Sequence, residues 1–182
     1  AYTMKKTLLS LAIASLAAGQ SVCAAVEKVY NEPDSVYIFS YAHPEDEGRS
    51  GLKFAWSPDG DKWLSVSDGF AYLKCDFGRW GAEKRMIKPL LEKAEDGRWY
   101  CRWQLTPSGK VWGTSHSSDL LKWAPQQYVN AEKPAVPRLV TARQIVLDKD
   151  TLNGYMQKVP YADIEQLIRF AEHKKFRDIQ NN

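Results

Sequence analysis

A mainly β fold, made of antiparallel propeller-blade-like sheets followed by a small β-hairpin and a C-terminal α-helix, is predicted by three observations. The first is a repeat. Ser57-Pro58-Asp59-Gly60-Asp61-Lys62-Trp63 returns sixty positions later as Ser117-Ser118-Asp119-Leu120-Leu121-Lys122-Trp123, with Ser, Asp, Lys and Trp at unchanged spacing. The second is its context: an aromatic strand-like run precedes each copy (Val36–Tyr41 and Trp99–Trp103), and a second run (52–56 and 111–115) leads straight into it. The third is a series of turn dipeptides, Asp59-Gly60, Asp68-Gly69, Asp96-Gly97 and Ser108-Gly109, whose glycines accept positive φ. Strands and turns recurring at such a period suggest propeller blades, about 40–50 residues each.

Residues 1–24 read as a signal peptide. Met4-Lys5-Lys6 supplies a positive start, Leu8 to Ala18 an apolar stretch, and Val22-Cys23-Ala24 small residues for cleavage after Ala24. The apolar stretch is shorter than the roughly 20 residues of a membrane span. The mature chain is therefore expected to be secreted or periplasmic, with no membrane span.

Residues 25–130 form the expected blade region. Asp96-Gly97 and Ser108-Gly109 bracket Arg98 to Thr106 as a strand. In each repeated motif the Asp carboxylate can accept bonds from the amides of its own turn, and the Trp is expected to plug between sheets. That is a scaffold role. Residues 131–182 are expected to hold a linker, a hairpin and a helix. Pro125, Pro134 and Pro137 mark the connection, a β-branched run spans Leu139 to Leu147, and Asn153-Gly154 signals a turn before a short strand ending at Val159. Pro160 is expected to open the helix as its first residue. Ile164, Leu167, Ile168 and Ala171 make its apolar stripe, which Phe176 and Ile179 extend. Asp163 and Glu165 near its start and Lys174, Lys175 and Arg177 near its end complement the helix dipole.

Composition narrows the partners. The formal charge is +3, and removing Lys5 and Lys6 with the leader lowers the excess of base over acid to one. No clustered basic surface of the kind nucleic acid requires is predicted. No phosphate loop, zinc pattern or dinucleotide fingerprint occurs, so no metal and no cofactor is expected. Cys75 and Cys101 remain after the leader; an oxidising compartment permits a disulfide between them, and two small buried thiols are the other reading. All seven tryptophans lie between Trp56 and Trp123, where aromatics can stabilise sheets by cross-strand packing or offer flat faces to sugar rings.

The densest chemistry sits in Asp76-Phe77-Gly78-Arg79-Trp80-Gly81-Ala82-Glu83-Lys84-Arg85. Its glycines make a loop able to approach a ligand. Asp76 and Glu83 supply the two carboxylates that glycoside hydrolysis needs, Arg79 and Arg85 supply forked donors, and Trp80 a stacking face. A solvated, salt-bridged surface loop is the other reading. Trp56, Trp103 and His116 join the candidate substrate-binding residues. The acidic stretch His43-Pro44-Glu45-Asp46-Glu47 reads as a solvated loop.

Over residues 35–130 the chain resembles the five-bladed propeller glycosidases, the glycoside hydrolase family 43-like proteins often labelled arabinosidases. Ala55–Trp63, Ser115–Trp123, Arg79–Met86 and Asp96–Tyr100 carry the resemblance. It implies a carbohydrate-active protein that hydrolyses O-glycosyl bonds of a furanoside or similar sugar in a poly- or oligosaccharide. The family tends to carry Arg-Asp-Pro ahead of an Asp-Gly turn, with that Asp as the base. The nearest counterpart here is Lys88-Pro89 ahead of Asp96-Gly97, so Lys88 occupies the Asp position. A lysine cannot replace a carboxylate that activates water. The alternative is a non-catalytic carbohydrate-binding or scaffold fragment. Five blades need on the order of 200–250 residues and this chain has room for about two, so open blade edges are expected to meet the C-terminal helix, a second copy or a partner chain.

Overall fold

The computed structural model describes residues 32–130 and 142–180. The leader and the connection at 131–141 lie outside them. Nine strands among the described residues form two antiparallel sheets. β1 (Ser35–Tyr41), β2 (Lys53–Ser57) and β3 (Leu64–Ser65) share the first with β8 (Ala142–Leu147) and β9 (Asp150–Pro160), in the order β3-β2-β1-β9-β8. β4 (Ile87–Lys93), β5 (Trp99–Gln104), β6 (Val111–Ser117) and β7 (Gln127–Asn130) form the second in chain order. One helix, α1 (Glu165–Gln180), follows. The fold is mainly β with blade-like sheets, as the repeat predicts.

The repeated turns are the same object twice. The Ser57 hydroxyl accepts from the Gly60 amide at 2.8 Å, and that of Ser117 from the Leu120 amide at 2.9 Å. Asp59 Oδ1 accepts from the amides of Asp61 and Lys62, both at 2.9 Å. Asp119 Oδ1 accepts from those of Leu121 and Lys122 at 2.9 and 2.8 Å. The amides of Lys62 and Asp61, with the Ser57 hydroxyl, pull the Asp59 carboxyl down to about 2. Burial pushes the Asp119 carboxyl up, but the amides of Lys122 and Leu121 and the Ser117 hydroxyl outweigh it and leave it below its ordinary value. The tryptophans differ. Trp123 packs against the main core between the sheets, whereas Trp63 lies on the other face of the first sheet, edge-on to Phe39 at 5.8 Å.

Aligned on these turns, β1, β2 and β3 correspond to β5, β6 and β7. The place of β4 is then taken in the first sheet by β9, from the far end of the chain. β9 pairs with β1 along its length, from Ser35↔Pro160 to Tyr41↔Gly154. The two equivalent strands are tied directly: Gln157 Nε2 donates to the Leu91 carbonyl at 3.1 Å, and Lys93 pairs with Asp163 just beyond β9.

Alternation in β1 explains the two cores. Val36 and Ile38 face the main core with Phe54, Leu91, Trp99, Cys101, Trp103 and Leu120, and Phe39 and Tyr41 face a second cluster with Ala55, Ile145, Leu147 and Leu152. Ile164, Leu167, Ile168 and Ala171 close the main core as the expected helical stripe. The side chains of Phe176 and Ile179 are outside the description.

Two local expectations are corrected and one open choice is resolved. Asn153-Gly154 is not a turn; both residues lie inside β9, and the hairpin turns at Asp148-Lys149, where φ is +49° and +77°. Gly154 serves close approach instead, since a Cβ there would lie 2.3 Å from the Ser40 carbonyl oxygen and 2.7 Å from the Phe39 ring. Pro160 ends β9 and caps a 3₁₀ turn, Tyr161–Asp163, before α1 begins. Cys75 and Cys101 are free and buried, which settles the open choice between disulfide and buried thiols.

Candidate functional site

A cleft of about 450 Å³ opens where the first sheet meets the start of β4. That volume falls within the usual range of ligand pockets. Its walls come from the loop after β1 (Ala42, His43, Pro44, Glu47, Gly48), from Met86 to Pro89, from Pro107, and from Asn153 to Tyr155 of β9. The loop is not a freely solvated stretch. Gly48, at φ +75°, rests so close to the backbone of Met86 that a Cβ would lie 2.1 Å from the Met86 carbonyl oxygen. The Asp46 carboxylate accepts from the Ser50 amide at 2.9 Å and holds the far end of the loop.

The charges of the cleft are sharply sorted. Glu47 is the one carboxylate among the lining residues, and it is engaged by Arg49 at 2.6 Å and Arg85 at 3.0 Å. Lys88 has no acidic partner among the described residues and stands on an unusual backbone. Its φ is +50°, in the left-handed region, it precedes Pro89, and the β4–β5 register shifts between Ile87 and Leu90. For a residue with a Cβ that conformation costs about 1–2 kcal/mol, and a following proline narrows the alternatives further. The strain is held in place by the register break, as at a β-bulge, and it fixes where Lys88 leaves the cleft wall. Tyr155 closes the β9 side, and burial pushes its phenol above its ordinary value.

The residues singled out in the sequence are spread over several environments. Glu83 folds back on its own loop, accepting from the amides of Arg79 at 2.9 Å and Trp80 at 3.1 Å. Gly78, at φ +77°, leaves room for it: a Cβ there would lie 2.2 Å from Glu83 Oε2. Asp76 bonds to the Tyr128 hydroxyl at 2.5 Å, across from β7. Burial, then the bonds to Asp76 and Cys75, drive the Tyr128 phenol far above its ordinary value. No hydrogen bond joins Asp76 to Glu83 among the described residues. Arg79 is exposed and Trp80 is 73 % exposed, so the loop presents an indole face to solvent on a braced backbone.

Arg85 is the member of this loop that reaches the cleft, through Glu47. Trp56 is half-buried against Tyr161, and Trp103 is fully buried with its ring over Gly113, where a Cβ would lie 2.3 Å from it. His116 lies tilted against Tyr100, ring centres 5.6 Å apart, beside a shallow depression with Arg98, Lys122 and Trp123, at the other end of β5 from Pro107. His43, Glu47, Asn153 and Tyr155 were not singled out as site residues in the sequence. Only the glycine after the acidic run, Gly48, hints that this loop packs tightly.

Among the described residues no cluster of His, Cys, Asp or Glu could hold a metal, and no helix is long and apolar enough to cross a membrane. In comparisons with known proteins, no family model, no curated protein and no solved structure matches this chain.

Proposed function

We propose that this is an exported carbohydrate-binding protein on a glycosidase-like blade frame, and that it takes a poly- or oligosaccharide in the cleft between the loop after β1, β4 and β9. One observation carries the reading. The cleft offers apolar ring faces and a few fixed polar groups, yet its one carboxylate is already paired with two arginines. Hydrolysis usually needs two carboxyl groups flanking the scissile bond. Pro44, Pro89, Pro107 and Tyr155 supply flat surfaces, and His43, Asn153 and Lys88 supply groups able to bond hydroxyls. The leader-like segment in the sequence supports export.

Hydrolysis is the second reading, and the 76–85 loop favours it through its two carboxylates and the exposed Trp80. The two part on a panel of chromogenic glycosides, arabinofuranosides included, assayed beside calorimetric binding of the parent sugars. The binding reading predicts heat of binding without turnover. Turnover that vanishes in Glu83→Gln would replace it with the hydrolase.

A further inference from the structure

We infer that the saccharide held in this cleft carries a carboxylate, as a uronic acid does, and that Lys88 is the residue that selects it. The inference rests on the cleft being the saccharide site and adds the substrate class. Three features bear on Lys88. It lines the cleft and has no acidic partner among the described residues. Its backbone is held at φ +50° ahead of Pro89, at a break in strand register, so its position is imposed by the surrounding structure and not by strand propensity. The one acidic group of the cleft cannot balance it, because Glu47 is matched by both Arg49 and Arg85, which leaves that trio with an excess of positive charge.

Lys88 is exposed at the cleft rim, so its ammonium, with no acidic partner of its own among the described residues, is open to pair with an anionic group on a ligand lying along the apolar walls. The remaining lining side chains, the His43 ring, the Asn153 amide and the Tyr155 hydroxyl, suit the neutral hydroxyls of the same sugar. One lysine without an acidic partner among the described residues, set among groups able to bond hydroxyls, fits one carboxylate per bound unit better than a densely sulfated chain.

The test uses one skeleton in two charge states: a trigalacturonide and its methyl ester, titrated calorimetrically into the protein at low and high salt, with acetate as a third ligand. The expected result is that the free acid binds at least about tenfold more tightly than the ester at low salt, a difference of about 1.4 kcal/mol, and that salt narrows the gap. Lys88→Gln should no longer distinguish acid from ester, whereas Lys88→Arg should keep most of the preference. Thermal midpoints of both variants separate loss of selectivity from loss of fold. Equal binding of acid and ester by the natural sequence, or a preference that survives Lys88→Gln, overturns the role of Lys88 and leaves the saccharide site standing. Binding of neither form, or acetate binding as tightly as the trimer, removes both.

Discussion

Leu120 stands in the second turn where Gly60 stands in the first, and it takes the same left-handed backbone, φ +63° against +86°. Each donates its amide to the serine three residues earlier. Glycine suits that backbone without cost, whereas the leucine is strained but fully buried in the main core. The second turn thus exchanges local comfort for a packing contact.

Leu120→Gly therefore relieves about 1 kcal/mol of backbone strain and loses a buried side chain worth about 2–5 kcal/mol. A net destabilisation of about 1–4 kcal/mol is expected, read from the urea midpoint. A stabilised variant would mean that strain outweighs packing at this turn.

Ser117 is 2 % exposed, and its hydroxyl serves the amides of Asp119 and Leu120 as well as the Asp119 carboxylate. Ser117→Ala should cost about 1–2 kcal/mol in the same urea measurement. An unchanged midpoint would show that the turn holds without its hydroxyl.

Both turn carboxyls have folded-state pKa values below their unfolded ones. Their contribution to stability is complete above the unfolded value near 3.8 and is lost as pH falls through the folded value, about 2 for Asp59. Urea midpoints measured down through this window should drop for the natural sequence and drop less for the Asp59→Asn, Asp119→Asn double variant. Parallel profiles would remove the turns from the acid response.

At Gly154 a Cβ would strike both the Ser40 carbonyl and the Phe39 ring. Gly154→Ala should cost about 2–3 kcal/mol, the upper part of the range for overpacking. At Gly97 a Cβ meets nothing within 4 Å and only the φ of +79° opposes it, so Gly97→Ala should cost about 1 kcal/mol. Comparing their thermal midpoints separates close approach from backbone conformation, and equal losses would contradict the packing at β9.

The Cys101 thiol is completely buried, and burial drives it far above its ordinary value. It should resist a thiol reagent at mildly alkaline pH in the folded protein and react only on unfolding. Rapid native labelling of Cys101 would contradict its place in the core.

What was legible in the sequence was local. The Ser-x-Asp turns, the strand bracketed by Asp96-Gly97 and Ser108-Gly109, and the stripe of α1 each depend on residues close to one another in the chain. Asn153-Gly154 misled because its dipeptide signal is local and its reason is not: the glycine answers to Phe39, more than a hundred positions away. The same distance hid β9's place beside β1. Trp80 and Trp103 look alike in composition, yet one is exposed and the other fully buried, because burial depends on what faces each ring. The cleft draws on four segments, and Glu47 and Lys88 were visible in the sequence only as separate charges.

The most direct test of the saccharide cleft is an amide chemical-shift titration with neutral and acidic oligosaccharides, followed by assay of the same samples for released reducing sugar. Perturbations concentrated at Glu47, Gly48, Met86, Lys88 and Asn153–Tyr155, without sugar release, are the predicted result. Perturbations confined to the 76–85 loop, accompanied by release, would contradict it.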